Sequence, residues 1–360
     1  MHIKEIELAN FKSYTKAHFD FSPRLNIIHG KNGVGKTNLL DAIYVLAMTK
    51  SNYTFTDSQL IKDGSDFYRL AGIVSKPEGD VSVVMKLAKG KKKIIERDQS
   101  VVPRPIEHIG LIPVVMITPD DLNLVNGSNI ERRKLADATL SQIDPDYLRY
   151  LVQYNRILKQ RNFLLKQGAE KRKIDLDLLL SYDRSMDEPA ASIYQGRKRF
   201  FERMEVAVRH YYQILSDGRE SVILKYISQL TGETMSSISL LNRDRDLASG
   251  RTNHGVHRDI VNCLIDQKDA RIFGSQGQKK SLVFALKLAQ LDYMHSNLED
   301  MPILLLDDIF DRLDQDRVKH LLSIILSDTF GQIFITDTQL SRIQSILEDY
   351  PIPSTQIEIS

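Results

Sequence analysis

Residues 25–40 read LNIIHGKNGVGKTNLL, and no other stretch of the chain constrains its fold as strongly. An apolar run from Leu25 to Ile28 enters Gly30-Lys31-Asn32-Gly33-Val34-Gly35-Lys36-Thr37, and NLLDAIYVLAM then continues with helical spacing. The spacing G-x-x-x-x-G-K-T predicts strand, loop and helix in that order. Its glycines let backbone N–H groups wrap an anion, and the start of a helix adds positive potential. These eight residues are the expected phosphate cradle, with Lys36 reaching the outer phosphates of a nucleotide and Thr37 placing its hydroxyl on Mg²⁺. A buried strand feeding such a loop calls for an α/β sheet of parallel strands.

Near the other end the chain reads MPILLLDDIFDRLDQDR. Ile303 to Leu306 is unbroken apolar sequence, as expected of a central parallel strand covered on both faces. It ends in Asp307 and Asp308, at the carboxyl edge where open α/β sheets bind ligands. Beside a P-loop, Asp307 is expected to hold Mg²⁺ with Thr37, and Asp308 to orient or deprotonate the attacking water. Alone, the same residues would read as a strand followed by a solvated acidic turn. A second anion-binding helix start lies between these motifs: Ser275-Gln276-Gly277-Gln278 opens the apolar-periodic run SLVFALKLAQ. In isolation that stretch reads as a helix cap facing solvent.

The order P-loop, S-Q-G-Q, apolar-Asp-Asp and then Leu313-Asp314 resembles the ATP-binding-cassette superfamily. The resemblance implies that Ser275, Gly277 and Gln278, with Asp314 nearby, contact ATP held by a second subunit, so that two heads enclose two nucleotides. Lys36 and Ser275 are more than two hundred residues apart, about twice what a compact transporter ATPase uses. The opening IKEIELANFKSY is similar to the first strand of the SMC and RecF branch, and the likeness implies that Asn10 and Lys12 lie beside the nucleotide. Three further stretches resemble the RecF family of bacterial recombination-repair ATPases: VVMITPDDLNLVNGSNIERRKLAD at 114–137, TNHGVHRD at 252–259 and PILLLDDIFDRLD at 302–314. Val256 departs from the proline usual there. IFITDTQ offers Thr336, Asp337 and Thr338 where transporters often carry a switch histidine. MITPDDL, at 116–122, is the expected neighbourhood of the glutamine loop.

From Asp144 to Ile214 the spacing is helical, with Asp144-Pro145 as a helix start. Two long segments suggest a short antiparallel, coiled-coil-like arm over 144–214, inserted between head segments 1–143 and 215–360. The head is expected to contain an antiparallel β portion. Arg149, Arg156, Lys159, Arg161, Lys166, Lys171, Arg172 and Lys173 cluster on the arm, followed by Arg197, Lys198, Arg199 and Arg203. Such runs are usually solvated faces, but in a chain of net charge +2 their concentration suggests a sequence-independent phosphate track. Lys89 to Lys93 forms a further basic run, at the expected turn of a β-hairpin. Tyr150, Tyr154 and Phe163 are candidates for stacking on bases, or for packing in a core. His254 and His257 have no cysteine or carboxylate cluster to complete a zinc site, which favours a structural or head-to-arm coupling role.

One cysteine, Cys263, excludes an internal disulfide and fits a cytoplasmic protein. The longest apolar runs are too short to span a bilayer. The family resemblance implies an ATP- and Mg²⁺-dependent protein that binds double- and single-stranded DNA in recombinational repair, replication and SOS induction. It implies homodimerisation on ATP, release on hydrolysis by a weak DNA-dependent ATPase, and the mediators RecR and RecO as partners in loading recombinase at gaps. Three other readings share parts of the pattern: an ATPase driving a membrane partner, an ATP-gated DNA clamp in which hydrolysis is incidental, and a small-molecule kinase.

Overall fold

The computed structural model describes residues 1–171, 173–309, 322–326, 331–338 and 352–360. The chain forms two compact units, residues 1–121 with 290–360, and residues 122–289.

The first unit begins with a hairpin, β1 (His2–Phe11) and β2 (Tyr14–Asp20), followed by β3 (Leu25–His29) and helix α1 (Lys36–Met48). Next come β4 (Phe67–Lys76), β5 (Gly79–Ala88), β6 (Ile94–Arg97), β7 (Ser100–Val101) and β8 (Val114–Ile117). Six of these make one antiparallel sheet in the order β2-β1-β4-β5-β6-β7. The lysine-rich turn at 89–93 joins β5 to β6, as the sequence suggests.

The second unit holds α2 (Asn123–Asn126), α3 (Asn129–Ile143), α4 (Pro145–Lys171), α5 (Leu176–Ser185) and α6 (Asp187–Leu215). After these come β9 (Val222–Ile227), α7 (Met235–Leu241), α8 (Arg243–Ser249), β10 (Ile260–Ile265), β11 (Lys268–Asp269) and α9 (Ala270–Phe273). Helix α10 (Gln276–His295) leads back to the first unit, where β12 (Ile303–Leu306), β13 (Ile333–Asp337) and β14 (Ser354–Glu358) complete a second sheet. Its order is β14-β3-β13-β12-β8, and every pairing is parallel.

Helix α1 packs against strands of both sheets of the first unit and is apolar almost all round, as a helix covered on every side must be. Leu39, Leu40, Ile43, Val45 and Leu46 are fully buried, each contributing about 1.5–3 kcal/mol by removal from water. Gln332 ties the two sheets at one end: its amide donates to Ile3 O and accepts from Ile3 N, both at 2.8 Å.

In the second unit the sequence suggests two long helices over 144–214, and the described residues there form three. Asp144 caps α4 by accepting from Asp146 N and Tyr147 N, with Pro145 in the first turn. Asp175 caps the additional helix α5 through Leu178 N. Only Met186 separates α5 from α6, so the two long stretches meet a shorter one that the periodicity of either does not register. Partners of α4 run in reverse order, Tyr147 against Gly196, Tyr150 to Glu188 and Arg161 to Asp183, so α4 is antiparallel to the α5–α6 stretch.

Two buried arginines bind this unit together. Arg161 donates to Asp183 (2.6 Å), Asp246 (2.8 Å) and Thr252 (2.7 Å). Arg197 donates to both Asp137 oxygens (2.9 Å each), Asp259 (2.9 Å) and Val256 O (2.6 Å). The TNHGVHRD stretch is thus a polar hub within this unit. His257 Nε2 lies 3.2 Å from Thr252 O and must donate there, so Nδ1 accepts from the Tyr154 hydroxyl at 2.8 Å. Burial pushes His257 down to about 4, which keeps it neutral.

Candidate nucleotide-binding site

The parallel sheet determines where the site can form. Strand β3 lies between β14 and β13, and all its apolar residues are buried. At its carboxyl end the loop turns through Gly30, Gly33 and Gly35, with φ of 150°, 83° and 117°. A side chain at Gly30 would collide with the Ile359 carbonyl, and one at Gly35 would sit 2.9 Å from Ser13 Oγ. Glycine is therefore required twice at these positions, for left-handed backbone and for close approach. The Tyr14 hydroxyl donates to Gly35 O at 3.0 Å, which braces the loop from the β1–β2 hairpin. Lys36 is largely buried, and its ammonium donates back to Gly30 O (2.8 Å) and Lys31 O (3.0 Å).

Asp307 follows β12 at the same carboxyl edge and is 4% exposed. Thr37 Oγ1 is 3.0 Å from both of its oxygens. Thr336 Oγ1 donates to Oδ1 at 2.9 Å, and the Tyr53 hydroxyl donates to Oδ2 at 2.6 Å. Thr336 also accepts from Asp308 N (2.9 Å), joining the two acids through one side chain of β13. Asp308 itself has φ of 49°, an uncommon left-handed position for a residue with a Cβ. Asn32, Gly33, Lys36, Thr37, Asp307, Asp308 and Thr336 line one cleft of about 240 Å³. Thr37 is thus brought to the adjacent pair Asp307 and Asp308, although 270 positions of chain separate it from Asp307.

A hard cation takes hydroxyl and carboxylate oxygens. Thr37 and Asp307 offer one of each at hydrogen-bond distance, beside a helix N-terminus suited to phosphate, so the donor set fits Mg²⁺ held with a nucleotide. Burial and the adjacent Asp307 carboxylate raise the Tyr53 phenol well above the tyrosine range, so it stays a donor. Strand β8 pairs with β12, which puts Thr118 to Asp121 at this edge too; Asp121 accepts from Thr118 N at 2.7 Å.

Two other expected residues are engaged with protein groups. The Lys12 ammonium is 2.5 Å from Asp41 and stands 5.4 Å from the centre of the Tyr53 ring. Asn10 has φ of 53° and accepts from Lys62 N through its carbonyl. Ser275 is the exposed cap of α10. Its hydroxyl accepts from Gln278 N (3.2 Å) while Gln278 Oε1 accepts from Ser275 N (2.7 Å), a reciprocal capping box. Gln278 also donates to Glu220 (2.9 Å), and Gly277 lies in the first turn. Arg172, Leu313 and Asp314 lie outside the described residues.

The basic set divides by burial. Arg161 and Arg197 are ion-paired inside the second unit and leave the candidate phosphate track. Arg149, Arg156, Lys159, Lys166, Lys173, Lys198, Arg199 and Arg203 are exposed. Of the aromatic candidates Tyr154 is core, Phe163 is 63% exposed, and Tyr150 donates to Glu188. Sequence reasoning missed Tyr53, which carries no motif, and gave Thr336 only a position. Among the described residues no helix is long and apolar enough to cross a membrane.

Comparison with known proteins identifies the family and the fold. The family model described as RecF/RecN/SMC N terminal domain matches residues 2–348. The DNA replication and repair protein RecF of Flavobacterium johnsoniae is 39% identical over 348 residues, covering 97% of both chains. That of Porphyromonas gingivalis is 37% identical over 356 residues, again covering 97% of each. Among solved structures, the recombination mediator protein RecF-ATPrS in the RecFOR pathway superposes with a TM-score of 0.87 at 30% identity, covering 95% of this chain and 93% of that one. An SMC head bound to the C-terminal winged-helix domain of ScpA gives 0.56 at 18% identity, a likeness of fold.

Proposed function

Because this chain belongs to the RecF/RecN/SMC family, and within it matches RecF proteins of DNA replication and repair along nearly its whole length, we propose that it is an ATP-dependent DNA-binding protein of recombinational repair. The observation that carries this reading is the direct contact of Thr37 with Asp307 at the mouth of the glycine loop. ATP occupies the loop, with Lys36 leaving the Gly30 and Lys31 carbonyls for the phosphates. Thr37 and Asp307 would hold Mg²⁺, which would supply charge neutralisation at the outer phosphates, and Asp308 orients water against the last of them.

Ser275, exposed at the start of α10, completes the site of a second copy, so ATP closes a homodimer and hydrolysis opens it. DNA lies on the exposed basic residues without base readout, since Lys and Arg on phosphate carry no sequence information. RecR and RecO act with it to load recombinase at gaps; the RecFOR setting of its structural relatives supports this.

The test is the concentration dependence of phosphate release. A site completed in trans gives a rate that rises more than linearly with dilute protein, and Lys36→Ala abolishes it. A strictly linear dependence would reject the shared site.

A further inference from the structure

We infer that Tyr53 is a positioning residue for the Asp307 carboxylate, and that its hydroxyl sets the affinity of the site for the divalent cation that accompanies nucleotide. The inference rests on the proposed nucleotide reading and adds a residue to it. Asp307 is nearly inaccessible, and among the described residues no lysine or arginine pairs with it. Three hydroxyls hold it instead, and they differ in origin. Thr37 and Thr336 come from the first turn of α1 and from β13, which the sheet fixes in any case. Tyr53 comes from the segment after α1, and its 2.6 Å bond to Oδ2 is the shortest of the three.

That segment is fastened with unusual thoroughness. Asp41, a buried carboxylate on α1, accepts from Ser51 Oγ (2.7 Å) and Asn52 N (2.9 Å), and pairs with the Lys12 ammonium. Ser51 Oγ in turn accepts from Tyr53 N and Thr54 N at 3.0 Å each. The Lys12 ammonium then rests over the Tyr53 ring. An exposed loop with no task beyond joining α1 to β4 needs none of this. The arrangement delivers one phenol to one carboxylate oxygen. With Oδ2 held by Tyr53 and Oδ1 by Thr336, the carboxylate cannot rotate about its bond, and its remaining lone pairs stay directed at the Thr37 side. Partners behind a metal ligand typically account for 10- to 100-fold in metal affinity.

The test is an Mg²⁺ titration of nucleotide binding by the full-length chain, followed with N-methylanthraniloyl-ATP. Tyr53→Phe removes the hydroxyl and keeps the ring over Lys12. The Mg²⁺ concentration at half-maximal binding should rise about tenfold or more, while affinity in EDTA stays where it is and far-UV circular dichroism shows the fold retained. An unchanged Mg²⁺ midpoint in the folded variant would overturn the inference alone. Absence of nucleotide binding by the wild-type chain, or wild-type affinity in Lys36→Ala, would overturn the nucleotide reading beneath it and the inference with it.

Discussion

Arg161 offers the sharpest separation between what the sequence suggests and what the fold does with it. It lies in a basic cluster, yet its side chain is fully buried between Asp183 and Asp246, themselves 2% and 0% exposed. Arg161→Met keeps much of the aliphatic volume and leaves two carboxylates buried without their cation. Breaking a buried pair by removing one partner costs about 3–5 kcal/mol. With a urea slope of about 3 kcal/mol per M, the unfolding midpoint of the 122–289 unit should fall by about 1–1.7 M. The loss should not depend on added salt, because a pair this deep is poorly screened. Far-UV circular dichroism against urea, with and without 0.5 M NaCl, measures both. Lys159→Met, two residues away on the exposed side of the same helix, should leave the midpoint within about 0.2 M and weaken DNA binding instead. If Arg161→Met unfolds like wild type, or loses DNA affinity with unchanged stability, the buried-hub account of this residue is wrong.

Other outcomes follow from the same geometry. Gly30→Ala should abolish nucleotide binding in equilibrium titration, since its side chain would strike the Ile359 carbonyl and its φ is left-handed. Thr336→Val removes the hydroxyl shared by Asp307 and Asp308, and should lower the rate of ATP hydrolysis by about tenfold or more with little change in ATP affinity. Buried His108, pushed down to about 4 chiefly by desolvation, takes up protons in the unfolded chain first as pH falls. Its contribution, up to about 3 kcal/mol, is therefore complete above pH 6.5 and lost toward pH 4, so His108→Asn should flatten the pH dependence of unfolding free energy in that window.

The head was legible in the sequence wherever a motif couples residue type to backbone geometry. The glycine loop, the apolar run of β12 and the acids that end it all declare themselves, because a phosphate cradle demands those residues at that spacing. The helical middle was legible in kind but not in detail. Arg161 follows Tyr154 and Ile157 and precedes Leu165 on the inward stripe of α4, and Arg197 falls with Ile193, Phe200 and Met204 on that of α6. Helical spacing alone therefore marks both arginines as inward-facing, a signal masked by counting charge along the chain instead of around the helix. Their acidic partners come from α3, α5, α8 and the 252–259 loop, which no local pattern joins. Tyr53 was illegible for a similar reason: its partner is 254 positions away and its own segment has no periodicity.

In the proposed function Ser275 completes a site on a second copy, and sedimentation of Asp308→Asn in Mg-ATP and in Mg-ADP is the test. A dimer is expected with ATP and a monomer with ADP, with loss of the dimer on adding Ser275→Arg while helix content is kept. A monomer in both nucleotides, or a dimer indifferent to Ser275→Arg, would contradict it and leave the Ser275–Gln278 pair as a helix cap alone.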